Sequence, residues 1–241
     1  MQKIKRSSEL LWLLGIVLVA LGVSICSKAD LGVSMIAALA FVISEAVSAF
    51  FPIFSVGVTE YAAQGLMLIV LCLAVQRFNW RYLLAFAVAI IYGYTLDLFL
   101  LIFENVSFNA IWLRWVMLIV GDVITGIGVA CFFKTYMPLQ VYELFVAELC
   151  DRFGLPIGGT KWAFDISLLA ISVTLALTLF GDASSFDWST IYYSSFHSIG
   201  LGTLVTTLIN SPIITMGCKL IDRLFDQTPR FEKLESFIKR R

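Results

Sequence analysis

Residues 10–218 of this chain carry only nineteen charged side chains, and the other fifteen crowd into residues 1–9 and 219–241. A domain that faces water on all sides carries about 25% charged residues, spread along its length. Here the share is 14%, and apolar residues reach 60%. The long middle of the chain therefore cannot make a solvated surface. A soluble enzyme, a disordered tail and a secreted disulfide scaffold do not fit this pattern. A net charge of zero gives no basis for nucleic acid. An all-α polytopic membrane protein remains, with the lipid bilayer as its first partner.

One crossing of the hydrocarbon core takes about 20 largely apolar residues. Six stretches supply them: residues 10–27, 57–76, 82–103, 111–133, 160–181 and 191–218. The last is long and holds Pro212, where a kink or an interruption is expected. The first follows Lys3, Lys5 and Arg6 as a signal peptide would, but everything after it is equally apolar, so it reads as a retained span.

Two further helical stretches, 33–50 and 139–153, are ambiguous. In the second, Tyr142, Phe145, Val146, Leu149, Cys150 and Phe153 form one apolar stripe at helical spacing. Gln140, Glu143, Glu148, Asp151 and Arg152 lie off that stripe, so the helix reads as re-entrant, interfacial or cavity-lining. The stretch 33–50 carries only Glu45 and by itself is apolar enough to span.

Charge placement separates the two topologies. With six spans and the N-terminus inside, Arg77, Arg81, Lys134, Arg152 and Lys161 lie inside, and Lys28 and Arg114 outside. With eight spans, three basic residues between the spans lie inside and four outside. The positive-inside rule favours six, with both termini cytoplasmic. The division is then residues 1–9, a first membrane repeat 10–109, a second 110–221, and a basic tail 222–241. In that tail Phe231, Leu234, Phe237 and Ile238 recur at helical spacing, as in a helix lying on an anionic leaflet.

The two repeats rest on a match of features. Gly22-Val23-x4-Lys28 aligns with Gly128-Val129-x4-Lys134 at an offset of 106, and Glu45 meets Asp151 at the same offset. Gly57-x-Thr59 aligns with Gly158-x-Thr160 at 101, which sets Glu60 against Lys161 and Gln64 against Asp165. Three spans per repeat is an odd number, so the second repeat must be inverted, a common transporter plan with its site near the midplane. Eight spans make the repeats parallel instead.

Other chemistry is sparse. Cys26, Cys72, Cys131, Cys150 and Cys218 form no CxxC pair and read as scattered core thiols. His197 is the single histidine, so no metal site is expected, and no motif calls for a cofactor. Gly200-Leu201-Gly202 reads as close helix packing. Trp12, Trp80, Trp112 and Trp115 sit near span ends, as interfacial belt residues do.

Ser27-Lys28-Ala29-Asp30-Leu31-Gly32-Val33-Ser34 resembles the loop after the first helix of the YczE/YyaS/YitT-type bacterial membrane proteins. The Gly-x-Thr turns at Gly57–Thr59 and Gly158–Thr160 and the run Gly200-Leu201-Gly202-Thr203 resemble that family too. The resemblance covers roughly residues 15–220. It implies a bacterial inner (cytoplasmic) membrane location and no settled activity.

A charge at mid-bilayer costs about 2.5–3.5 kcal/mol on insertion scales, so each one needs a partner, water or a function. Asp122 and Asp165 are the foremost carboxylate candidates for binding a solute or coupling ion, followed by Asp97, Glu60 and Gln64. Lys28, Asp30 and Lys134 are loop candidates, and Tyr92 and Tyr94 flank Gly93 where a cavity wall could form. The leading expectation is a small-solute secondary transporter or exporter with its site between the repeats. The alternative is a non-transporting scaffold or accessory subunit, including the substrate-binding subunit of a larger importer, with homo-oligomers or a membrane partner in view. No Ser/His or Cys/His pair stands out, so an enzyme is not expected.

Overall fold

The computed structural model describes residues 4–48, 50–51, 53–180 and 195–228. Eight helices carry the fold: α1 (Ser8–Ala29), α2 (Met35–Ser48), α3 (Val56–Val75), α4 (Arg81–Ile102), α5 (Ile111–Phe133), α6 (Val141–Phe153), α7 (Ile157–Phe180) and α8 (Leu201–Leu224). A short strand at each end, β1 (Ile4–Ser7) and β2 (Phe225–Thr228), pairs in parallel with its counterpart, Ile4 opposite Phe225 and Ser7 opposite Thr228.

Six helices are long and apolar enough to cross a bilayer, at 20 to 24 residues. At 1.5 Å per residue they reach about 30–36 Å, the depth of the hydrocarbon core. With 14 and 13 residues, α2 and α6 reach only about 20 Å and cannot cross. Lipid-facing positions such as Leu66, Leu73, Leu101, Trp112, Leu208 and Met216 are exposed, which only a hydrocarbon solvent tolerates on this scale. Trp80 and Trp112 are exposed at span ends as the belt reading expects.

The last span departs from expectation in its bounds, and of the kink or interruption expected at Pro212 the interruption is absent. The helix is Leu201–Leu224 rather than 191–218, and it runs through Pro212 without interruption. Residues 191–194 and the apolar tail positions Phe231, Leu234, Phe237 and Ile238 lie outside the described residues.

The second half is an inverted copy of the first. Adding four to each helix number, modulo eight, maps the main packing pairs onto one another: α1 on α5, α2 on α7 with α6 on α3, and α1 on α4 with α5 on α8. The central pair runs antiparallel. Gly15 meets Gly128 and Gly22 meets Gly121, so one number rises as the other falls. Each glycine's partner is the repeat-mate of the other, because 15 and 121, like 22 and 128, differ by the offset of 106. A two-fold axis in the membrane plane therefore passes between α1 and α5.

Half of α1 and α5 is buried, 50% and 56% of their apolar windows, against 17% for each of α7 and α8. The first pair is the core and the second the periphery. One packing pair breaks the symmetry: α3 lies along α4, whereas among the described residues α7 and α8 hardly touch.

The loop contacts sort into two ends, as six spans require. At the end with the termini, Lys134 binds Asp222, Tyr136 donates to Glu9, and the Trp12 indole donates to the Pro138 carbonyl. At the opposite end, Arg114 binds Asp30, Lys28 donates to the Glu104 carbonyl, and His197 meets Glu45. Gly200 and Gly202 sit at that end too. A Cβ on either would lie 2.4 or 2.6 Å from the Leu31 carbonyl, so this cluster is a close packing contact.

Candidate functional site

The two short helices begin inside the molecule, and their first residues form part of the wall of one central cavity of about 260 Å³. All eight helices contribute to that wall. Ser34 and Met35 stand at the start of α2, Gln140 and Glu143 at the start of α6.

Each repeat also supplies a polar pair, four residues apart, in the first turns of its third helix. In α3, Gln64 Nε2 donates to Glu60 Oε1 at 3.2 Å, and Gln64 Oε1 accepts from the Val141 backbone N–H at 3.3 Å. The start of α6 is thus capped by a side chain from the other repeat, meeting one of the N–H groups a helix leaves unsatisfied. In α7 the matching pair is Lys161 and Asp165, 3.5 Å apart. By the two-fold, Asp165 stands toward the first turn of α2 as Gln64 does toward α6, and it lines the cavity with Met35.

The cavity wall is not fully satisfied. Glu60 Oε2, Glu143 Oε2, Gln140 Nε2 and Asn210 Oδ1 are buried without a hydrogen-bond partner. Glu60 is 3% exposed, Gln140 5% and Glu143 7%. Unsatisfied groups of this kind are few in natural proteins, and among the described residues most of them lie on this one cavity. Tyr92 and Tyr142, both buried, stand beside the Glu60–Glu143 pair.

The residues singled out from the sequence part into three groups. Glu60 and Asp165 line the cavity. Gln64 and Asp122 stand one layer behind it: Gln64 holds α6, and Asp122, 1% exposed, accepts from Asn210 Nδ2 at 3.2 Å and so turns the Asn210 oxygen free. Asp97, Lys28, Asp30 and Lys134 lie at the ends of the molecule and close contacts there.

Asp97 is a helix cap. Its carboxylate accepts from the Gly57 N–H at 2.7 Å and the Ser55 hydroxyl at 2.5 Å, at the N-terminus of α3, where a negative charge also meets the helix dipole. Asp97→Ala is expected to lower stability by about 2 kcal/mol, with Asp97→Asn intermediate, as read from thermal unfolding in detergent. Asp30 accepts from Arg114 and Ser195, tying α1, α5 and the start of α8 together. The Lys134 ammonium is held above its ordinary range, first by its hydrogen bond to Asp222.

Sequence reasoning set Glu143 and Gln140 off the apolar stripe of α6 but did not rank them, and it passed over Asn210. The signal for Glu143 was its place on the polar side of a short helix. Its burial, unlike that of exposed Asp151 and Arg152, shows which part of that side faces inward. Tyr92 lines the cavity, whereas Tyr94 points outward at 63% exposure. His197 has a partner that helical spacing could not reveal: Glu45, 2.7 Å away, while its ring stacks on Phe180. Among the described residues no group of three metal-ligating side chains comes together.

The family of unknown function DUF6198 has a model that matches residues 4–219, and the chain belongs to that family. No curated protein and no solved structure matches the chain.

Proposed function

We propose that this DUF6198 member is a secondary transporter or exporter of small solutes, binding them between its two inverted repeats and performing no enzymatic chemistry. The observation that carries the reading is the meeting of two interrupted elements, the starts of α2 and α6, on one cavity at the two-fold axis, with acids and amides set in an otherwise apolar wall. Backbone that is not helical at membrane depth is tolerated only where protein buries it or a cavity receives it. Inverted repeats with such breaks place solute sites at the repeat interface.

A location in a bacterial inner membrane, with both termini cytoplasmic, belongs to the same proposal. It is supported by the excess of Arg and Lys at the end that holds the termini. Kinship with the YczE/YyaS/YitT-type proteins belongs to it as well, supported by the Ser27–Ser34 loop.

The test is flux in proteoliposomes across a library of cationic, neutral and anionic solutes. Thr207, half-buried on the cavity wall, gives the control. Thr207→Trp fills the space from α8 and is expected to cut flux at least tenfold, while the protein keeps its elution profile in detergent. Absence of flux for every solute class in the unaltered protein sinks the transporter reading.

A further inference from the structure

We infer that the central cavity binds an organic ammonium ion, a primary amine in its charged form carrying a small apolar body. The inference rests on the transporter reading for its site and goes on to name the ligand class.

The first support is the balance of charge. Three carboxylates, Glu60, Glu143 and Asp165, face the cavity, and one ammonium, Lys161, faces it with them. Lys161 is already engaged, pairing with Asp165 at 3.5 Å and lying close enough to Glu143 to interact with its charge. Glu60 has an amide, Gln64, and a phenol, Tyr142, for neighbours, with Glu143 as a second acid nearby. A buried carboxylate left without a cation is costly, and a positive ligand between Glu60 and Glu143 removes that cost.

The second support is the hydrogen-bond inventory, which is independent of charge. The unpartnered atoms on the wall are three acceptors, Glu60 Oε2, Glu143 Oε2 and Asn210 Oδ1, against one donor, Gln140 Nε2, with the Tyr142 hydroxyl a second donor behind the wall beside Glu60. The Asn210 amide is oriented by its bond to Asp122, which fixes the oxygen as the free end. A primary ammonium brings three N–H donors and no acceptor. An anion brings only acceptors and would leave the three wall oxygens unmet. On α6 one of the N–H groups that could favour an anion is already taken, because Gln64 accepts from the Val141 N–H.

The third support is the rest of the wall. Val19, Val23, Val129 and Ile214 offer it an apolar side, and the space of about 260 Å³ is far more than a bare ion fills. Pockets for small organic ligands begin near 300 Å³. No three-ligand metal cluster forms among the described residues. An ammonium head on the acids with a short alkyl or aryl body against the valines uses both sides of the cavity.

The test uses the full-length protein purified in detergent. Binding is measured by calorimetry and thermal shift with a graded series of primary ammonium ions, from ethyl- through hexyl- to phenethylammonium. The matching alcohols and carboxylates serve as isosteric controls. The expected result is saturable binding by at least one ammonium, with the alcohol and carboxylate of the same skeleton at least tenfold weaker. Glu60→Gln and, separately, Glu143→Gln are expected to weaken that ammonium at least tenfold without lowering the unliganded melting temperature. Binding of the ammonium unchanged in both variants overturns the assignment of the site. In the flux library above, transport confined to neutral or anionic solutes overturns the amine class and leaves the transporter reading standing, whereas no flux for any class overturns both.

Discussion

Gly22→Ala is expected to destabilise the folded protein strongly, at the crossing on which its two repeats meet. A Cβ at Gly22 would lie 2.2 Å from Thr125 Oγ1, 2.5 Å from the Gly121 carbonyl oxygen and 2.7 Å from the Thr125 nitrogen. Two of those atoms are backbone of α5, which cannot rotate aside. The whole helix must withdraw, and with it the crossing on which the two repeats meet. Inserting a group into a packed core costs about 1–3 kcal/mol, and more when backbone must move. In lipid there is little hydrophobic drive to pull helices back together, so close packing of small residues carries more of the association. Gly121→Ala changes its packing partner across the seam and meets Cys26 Sγ at 2.7 Å and the Gly22 oxygen at 2.8 Å. The control is Gly159→Ala, where the nearest atom is 3.8 Å away on an exposed turn of α7. That change is expected to be neutral or to add up to about 1 kcal/mol, because alanine is the better helix former. Thermal unfolding in detergent, followed by helical circular dichroism, ranks the three. A Gly22→Ala protein as stable as the Gly159→Ala one would falsify the glycine crossing as the centre of the fold.

The second large effect is expected at Lys161. Its removal in Lys161→Met leaves Asp165 and Glu143 without their shared cation, on the wall of a membrane-embedded cavity. Breaking a fully buried pair costs about 3–5 kcal/mol, and an exposed one at most about 1 kcal/mol. The side chains here are 24% and 17% exposed, so the loss is expected between these limits, at about 2–3 kcal/mol. The diagnostic is partial recovery: adding Asp165→Asn to Lys161→Met removes the stranded charge and is expected to restore at least half of the loss. A double variant no better than the single one shows that Lys161 contributes through packing of its stem rather than through charge. The same comparison in the flux assay separates a stabilising role from a solute-binding one.

How much of this was legible beforehand follows from the range of each interaction. The six spans are written in run-lengths of apolar residues, because lipid imposes one requirement on every residue of a span. The short helices showed themselves through the polar residues of α6 and the placement of basic residues between the spans. The repeat offset of 106 aligned Lys28 with Lys134 and, in the structure, α2 with α6. The glycines at 15, 22, 121 and 128 carried the crossing in their seven-residue spacing, but only Gly22 and Gly128 entered the alignment, and a spacing does not say which helix a glycine faces. Asp97 looked like an intramembrane acid because the amides it caps lie forty residues away on another helix. Asn210 escaped notice and Gln140 went unranked because single amides in polar-poor sequence are common, and only the cavity between helices distant in sequence gives them a shared role.

The unequal contact between α3–α4 and α7–α8 has a consequence for the whole molecule. In a duplicated chain, a geometry adopted by one copy is within reach of the other. An α7 packed on α8 with α3 parted from α4 would have the same outline turned upside down; it would open the Gly57–Gly93 contact and the Asp97 cap while leaving the glycine seam between α1 and α5 closed.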